Sequence, residues 1–163
     1  MREFNSLASF ALHLVKLEAT EVLALHHGLK QVAEHIEKTA KDEIGYYQPA
    51  VGPFPAWQEL AESTKADRMN KGYDPDEPLL RDGTLRDSIV HEVGGLEAVI
   101  GSKLDIALYQ ELGTEKIPPR PFLGTAAFIS KKKIEKILGA AAVSGLLGHK
   151  IIHPSLGYDF ESE

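Results

Sequence analysis

The first third of the chain follows a helical pattern of hydrophobic and polar positions. Between Ser6 and Ile44 there is no proline and a single glycine, Gly28. Hydrophobic residues recur mostly in steps of three and four, the period of an α-helix, at Leu7, Phe10, Leu14, Leu17, Val22, Leu25, Leu29, Val32 and Ile36. The pattern predicts one helix of about 39 residues, roughly 58 Å long at 1.5 Å per residue. We expect Ser6 to be its N-cap and Gly45 to end it.

Two structures fit this stretch. The helix is either continuous or kinked, or it breaks into a helix pair at Gly28, where glycine costs about 1 kcal/mol relative to alanine. We favour the continuous or kinked helix. A hydrophobic stripe of that length is hard to cover with the remaining residues, about 120 in number, so we expect part of it to pack on another chain.

Prolines and glycines divide the middle of the chain into short elements. Three prolines within residues 48–56 predict a loop, and the pattern over 57–68 predicts a short helix. A second loop is predicted over 70–78. After it, Asp82 or Thr84 can cap a single helical turn.

A β-hairpin is predicted next. The strands cover residues 88–93 and 96–102, and Gly94-Gly95 forms the turn between them, because glycine accepts the positive φ angles of two-residue turns. An isolated hairpin is marginally stable in water. We therefore expect the sheet to gain further strands or to pair across subunits.

The last third predicts two helices separated by a rigid stretch. One helix covers residues 104–112 and is closed by Gly113. Residues 117–121 contain three prolines, which keep the residues before them extended. A second helix is predicted over 122–138, with solvated lysines, and residues 139–163 have no assigned structure.

Together these elements predict the α+β class: a long N-terminal helix, a small antiparallel β-sheet built round a hairpin, and two or three shorter helices. The 163 residues and 17.9 kDa predict a single domain spanning the whole chain. Its parts are the helix of residues 1–45, a central core of 57–128 and a C-terminal tail of 139–163.

Composition narrows the possible functions. Eighteen basic and 24 acidic residues give a net charge of −6, which argues against specific nucleic-acid binding through phosphates. The chain has no cysteine, so disulfides, cysteine nucleophiles and cysteine-ligated metals are excluded. The N-terminus resembles no signal peptide, and no apolar run is long enough to span a bilayer. We expect a soluble intracellular protein with no membrane partner.

Few residues suggest catalysis. His26, His27 and His35 lie on the long helix, but their spacing is poor for a metal site, and solvated or interface histidines fit better. No nucleophile elbow, Walker motif or dinucleotide-binding glycine pattern occurs. The sequence predicts no cofactor and no catalytic or metal-ligating residue.

Two loop residues suggest a structural role instead. Arg120 lies between Pro119 and Pro121, so its backbone has little freedom, and a pre-organised arginine pairs well with a carboxylate. Glu111 is the nearest candidate in sequence. We expect a Glu111–Arg120 pair to pin the loop to the preceding helix, with Phe122 buried in the core.

Several segments resemble one protein family when taken in order. They are Trp57-Gln-Glu-Leu60, Leu79-Leu-Arg-Asp-Gly-Thr-Leu-Arg-Asp-Ser-Ile89, Ile100-Gly-Ser102, Ile106-Ala107, Glu111-Leu-Gly-Thr114 and Ile117-Pro-Pro-Arg-Pro-Phe-Leu123. This series is similar to the tail-completion and virion-morphogenesis (head–tail joining) proteins of tailed bacteriophages. The positions that carry the likeness are Trp57, Leu60, Leu80, Gly83, Leu85, Ser88, Ile89, Gly101, Ala107, Glu111, Gly113, Thr114, Pro119, Arg120, Pro121 and Phe122.

The resemblance implies a structural, non-catalytic protein of a phage or prophage. Such a protein forms an oligomeric ring, with a hexamer favoured by analogy, and contacts neighbouring neck and tail-tube proteins. It would be found in the virion neck or tail, and in the bacterial cytoplasm during assembly. The alternatives are another neck or minor tail component, such as a stopper or adaptor, and a metal-dependent hydrolase that uses the helix histidines.

Overall fold

The long N-terminal helix is present. A computed structural model describes residues 6–147 of the chain. Helix α1 runs without interruption over Leu7–Glu43, 37 residues, which confirms the continuous helix and excludes a break at Gly28. Ser6 caps its first turn, because the Ser9 N–H donates to Ser6 Oγ at 3.1 Å. Gly45 has φ +101° and its N–H donates to Pro78 O at 2.9 Å, as expected of a glycine that ends a helix.

The shorter elements confirm the α+β class. The two strands form one antiparallel sheet, and within residues 6–147 no further strand joins it. In chain order the elements are α2 (Glu62–Asn70), α3 (Thr84–Asp87), β1 (Val90–Gly94), β2 (Glu97–Gly101), α4 (Asp105–Leu112), α5 (Leu123–Ile129) and α6 (Lys131–Leu146).

Helix α2 begins later than the sequence predicted. The helix expected over 57–68 starts at Glu62. The carbonyl groups of Gln58 and Glu59 accept hydrogen bonds from the Arg120 side chain. The stretch from Trp57 is therefore held as irregular chain by a partner distant in sequence.

The hairpin turn is also shifted. It lies at Gly95-Leu96, one residue after the expected Gly94-Gly95. Gly95 has φ +58°, while Gly94 is the last residue of β1. A single glycine with positive φ is enough to turn the chain here.

The helix predicted over 122–138 is two helices. Helix α5 ends before Ser130 and α6 begins at Lys131, in keeping with the preference of serine for helix ends. Helix α6 continues through residues 139–146, to which the sequence assigned no structure. Residues 148–163 of the expected tail lie outside the described residues.

Contacts divide the chain into two compact units. The first comprises the described parts of Met1–Val32, Val93–Ala98 and Lys132–Glu163. In it α6 runs antiparallel to α1 through small residues. A Cβ atom on Gly28 would lie 2.8 Å from Ala141 Cβ, and one on Gly145 would lie 2.6 Å from Glu21 Cα. Both glycines are therefore needed for the close approach of the two helices.

The second unit comprises Ala33–Glu92 and Val99–Lys131. Ile89 and Phe122 are completely buried in it, and Trp57 and Leu85 are nearly so. Phe54 from the proline-rich loop packs edge-on against Phe128, with ring centroids 6.2 Å apart and planes at 80°. Most of the residues that carry the family resemblance belong to this unit.

Candidate functional site

Glu111 fastens the loop before α5. Its carboxylate accepts three backbone N–H groups at the start of that helix, from Phe122 at 2.8 Å, Leu123 at 3.0 Å and Gly124 at 2.8 Å. These N–H groups have no partner inside the helix, and a negative charge there is favoured by the helix dipole. A Cβ on Gly124 would lie 2.7 Å from Phe54 Cζ and 3.1 Å from Glu111 Oε1, so the glycine leaves room for the Phe54 ring first and for the carboxylate second.

The predicted Glu111–Arg120 pair is wrong. Arg120 instead donates through Nε and Nη2 to Gln58 O, at 3.2 and 2.9 Å, and through Nη2 to Glu59 O at 3.2 Å. In the described part of the chain no ion pair joins Glu111 to Arg120. The Glu111 carboxylate instead binds the N–H groups at the start of α5, which have no partner inside the helix. Glu111 holds the loop to α4 by its side chain, through the backbone N–H groups of residues 122–124. The Arg120 side chain holds it to residues 58–59 instead. Phe122 is buried as predicted.

Trp57 and Thr125 meet at one carbonyl oxygen. The Trp57 indole N–H donates to Pro121 O at 3.1 Å, and the Thr125 hydroxyl lies 2.8 Å from the same oxygen. We call Trp57, Glu111, Arg120 and Thr125 the loop lock, because all four bind backbone atoms of residues 58–59 or 121–124. The lock joins residues 57–59 to residues 120–121, 61 to 64 positions later in the chain.

Glu43, the last residue of α1, is buried beside Thr125. Burial raises the pKa of Glu43 to about 7; the hydrogen bond with Thr125 opposes this rise, and the nearby Glu111 charge adds to it. The Thr125 hydroxyl has one hydrogen, and Pro121 O lies within reach of it. The Thr125 hydroxyl can also donate to Glu43 Oε2, and a donor to the carboxylate favours its charged form.

Gly113 and Thr114 shape the turn after α4. Gly113 has φ +77°, and a Cβ there would lie 2.9 Å from Pro119 N, so only glycine fits. The Thr114 N–H donates to Ile117 O at 2.8 Å, and Thr114 Oγ1 accepts the Ile117 N–H at 3.1 Å. Gly113 and Thr114 thus fix the backbone of this turn.

The residues of the resemblance around α3 and the hairpin are structural. Ser88 Oγ lies 2.7 Å from both Leu85 O and Ser102 Oγ, which ties the chain before β1 to the chain after β2. Gly83, with φ +86°, is the N-cap residue of α3, and Gly101 ends β2. Ala107, Leu85 and Ile89 are buried.

Leu60 lines a cleft in the same unit. The cleft has a volume of about 320 Å³, and its polar lining includes Arg68, Arg81, Arg120 and Gln110. We call it the arginine cleft. Leu79, another lining residue, has φ +63°, a backbone conformation that leucine seldom adopts. Leu80 contributes a carbonyl oxygen that accepts a hydrogen bond from Arg68 Nη2.

Sequence reasoning missed Arg68, Gln110, Thr125 and Glu43. Arg68 is buried and also donates through Nε to Asp74 O at 2.6 Å, so it holds the loop of residues 71–80 in place. Its position on the face of a short polar helix gives no signal of burial. For Glu43, the charge at the end of a hydrophobic stripe was the only available clue.

Two of the helix histidines have hydrogen-bond partners, one distant in sequence and one a helical turn away. His26 Nδ1 lies 2.8 Å from Gly95 O, and His27 Nε2 lies 3.3 Å from Gln31 Nε2. Within residues 6–147 no group of three or more metal-ligating side chains is close enough to hold an ion. No helix in that range is both long enough and apolar enough to span a membrane.

Comparison of the chain with known protein families, with curated proteins and with solved structures gave no match.

Proposed function

We propose that the chain is a structural, non-catalytic component of a phage or prophage virion, which acts in tail completion or head–tail joining as an oligomeric ring. The resemblance of residues 57–128 suggests the class of protein. The observation that carries the assembly is an uncovered hydrophobic surface on the first half of α1.

On the first half of α1, Leu7, Phe10 and Leu14 of the predicted stripe are exposed. Beside them runs a second stripe, which shares only Val22 with the predicted one. Its members are all exposed, and we call them the exposed stripe: Ala8, Leu12, Val15, Ala19, Val22 and Leu23. Leu12 is 63% exposed, Val15 62% and Leu23 66%. Within the described chain, large hydrophobic residues remain in water along about four turns of helix.

The spacing of the exposed stripe favours a helical partner. From Ala8 to Val22 the positions alternate in steps of four and three, the seam of a coiled coil. Ala8 and Ala19 leave space for close approach, while Leu12, Val15 and Val22 supply side chains that gain roughly 2 kcal/mol each on full burial. A helix of a neighbouring copy would cover this seam, and repeated contacts of that kind close into a ring when the rotation closes.

The loop lock supports a structural role in another way. The polar atoms of Trp57, Glu111 and Arg120 are bound to backbone groups, which makes them holders of loop shape. Rigid loops on a ring subunit present a fixed surface to the next component of a neck or tail. These residues would hold the shape of the loops and would take no part in a reaction.

The contacts of His26 and His27, with Gly95 O and Gln31 Nε2, do not favour the hydrolase alternative.

The test is electron microscopy of the purified full-length chain, together with mass spectrometry of purified particles of the phage that encodes it. We expect rings built of one kind of subunit, and the protein among the particle components. A chain that stays monomeric at its highest soluble concentration and is missing from the particles would contradict the proposal.

A further inference from the structure

The arginine cleft carries positive charge that its own lining does not neutralise. Arg68, Arg81 and Arg120 line it, and Asp82 is the one carboxylate among the lining residues. Arg81 also pairs with Asp67 at 3.3 Å, outside the lining. The three arginines and these two aspartates together carry a positive net charge, although the net charge of the whole chain is −6.

Two of the three arginines are buried without a carboxylate. Arg68 is 6% exposed and Arg120 is 4% exposed, and neither takes part in an ion pair within the described residues. The acceptors of both are neutral carbonyl oxygens. Burial lowers the pKa of Arg120. Because an unpaired buried charge is costly, an anionic group brought to this cleft would be stabilised.

The other lining residues favour a ligand that offers more than a negative charge. Gln110 Oε1 is buried with no hydrogen-bond partner among the described atoms, so it can accept an N–H or O–H from a ligand. Leu60, Leu104 and Ile106 supply hydrophobic surface. The cleft thus suits a peptide that combines carboxylates with a large apolar side chain and a hydrogen-bond donor.

The chain itself contains such a peptide. Residues 158–163 read Tyr-Asp-Phe-Glu-Ser-Glu, with carboxylates at Asp159, Glu161 and Glu163 and aromatic rings at Tyr158 and Phe160. Charge and hydrophobicity of this acidic segment both complement the arginine cleft. We propose that the arginine cleft of one copy binds the acidic segment of a second copy, an inference that rests on the self-association proposed above.

The absence of cysteine from the chain allows a clean cross-linking test. One full-length preparation carries Thr64→Cys, on the lining of the cleft, and a second carries Ser162→Cys in the acidic segment. After mixing and mild oxidation, we expect a heterodimeric disulfide. Placing each cysteine on a different copy means that the heterodimer reports contact between copies.

Ser63→Cys is the matched control for the cleft position. Ser63 neighbours Thr64 on α2 and is also exposed, but it does not line the cleft. We expect the Thr64→Cys preparation to give at least about fivefold more heterodimer than the control, because binding raises the effective concentration of the two thiols.

Two arginine variants test the charge. Arg81→Glu in the cleft-bearing chain should lower the yield about fivefold, a change of the size that partly exposed ion pairs give. Arg86→Glu should leave it unchanged, since the Arg81 and Arg86 side chains are both 44% exposed and Arg86 does not line the cleft. Pairing Arg81→Glu with Asp159→Lys and Glu161→Lys should restore the cross-link.

Equal yields from Thr64→Cys and Ser63→Cys, or no loss with Arg81→Glu, would overturn the proposal. If rings form while the yields are equal, the binding of the acidic segment is wrong and the proposed function stands. If neither rings nor heterodimers form, both are contradicted.

Discussion

The loop lock and the first half of α1 differ in whether their side chains have partners within the folded chain. In the loop lock, a few charged or polar side chains are matched to backbone groups from distant stretches. In the first half of α1, the side facing α6 packs through Gly28 and Gly145, and the exposed stripe has no cover in the described chain. One region is complete in a single copy, and the other has surface left for a partner. The difference predicts that damage to the first will unfold the protein, whereas damage to the second will only prevent its assembly.

The largest effect is expected at Glu111. Glu111→Ala removes the acceptor of three N–H groups at the start of α5 and should lower the free energy of unfolding by about 3 kcal/mol. Urea denaturation measures this change in the free energy of unfolding. Glu115→Ala, an exposed position in the following turn, is the control and should change stability very little. If both variants unfold alike, the loop lock does not hold the region.

Glu43 gives the loop lock a pH dependence. Its pKa is raised from 4.5 to about 7 by burial, so the folded protein keeps a proton that the unfolded chain loses as pH rises from about 4.5 to 7. Stability from this group is complete below pH 4.5 and is lost across that window, by roughly 3 kcal/mol in total.

Glu43→Gln removes this titration and keeps a side-chain oxygen that can accept from the Thr125 hydroxyl. Urea denaturation at pH 4.5 and at pH 8 should show a larger loss of stability for the wild-type chain than for the variant. At pH 8 the variant should be the more stable of the two. Parallel changes with pH would mean that Glu43 is not held protonated.

The packing of α6 on α1 predicts a smaller effect. Gly28→Ala places a methyl group 2.8 Å from Ala141 Cβ and should cost about 1 kcal/mol despite the better helix propensity of alanine. Adding Ala141→Gly makes room for that methyl group. In a double-mutant cycle we expect a coupling of about 1 kcal/mol; additive changes would show that the two helices do not meet at these residues.

The long helix, its caps and the α+β class could be predicted from sequence, because they depend on local spacing and on single capping residues such as Ser6 and Gly45. The true start of α2 and the partners of Glu111 could not. The start of α2 depends on Arg120 reaching carbonyl groups 61 and 62 residues away. Glu111 binds backbone N–H groups 11 to 13 residues away. Local patterns carry no signal for either contact. The exposed stripe was hidden for another reason: the first half of α1 is hydrophobic on more than one side, and periodicity alone does not say which residues are covered. Leu7 and Leu14 of the predicted stripe are exposed as well.

The smallest effect on the folding of the single chain is expected at the exposed stripe. Leu12→Lys with Leu23→Lys places charges at exposed helix positions, where substitutions usually change stability by less than about 0.5 kcal/mol. Circular dichroism and urea denaturation should therefore match the wild-type monomer. A large loss of helix content would mean that these side chains are needed for folding of the single copy.

The same pair of substitutions tests the central claim most directly through the mass of the native assembly. Native mass spectrometry of the wild-type chain should show a closed oligomer of one subunit type, and the Leu12→Lys/Leu23→Lys chain should appear as a folded monomer. Val99→Lys, at a strand position that is 68% exposed, is the control and should keep the wild-type mass. An unchanged oligomer in the double variant, or a wild-type chain that never associates, would contradict the account.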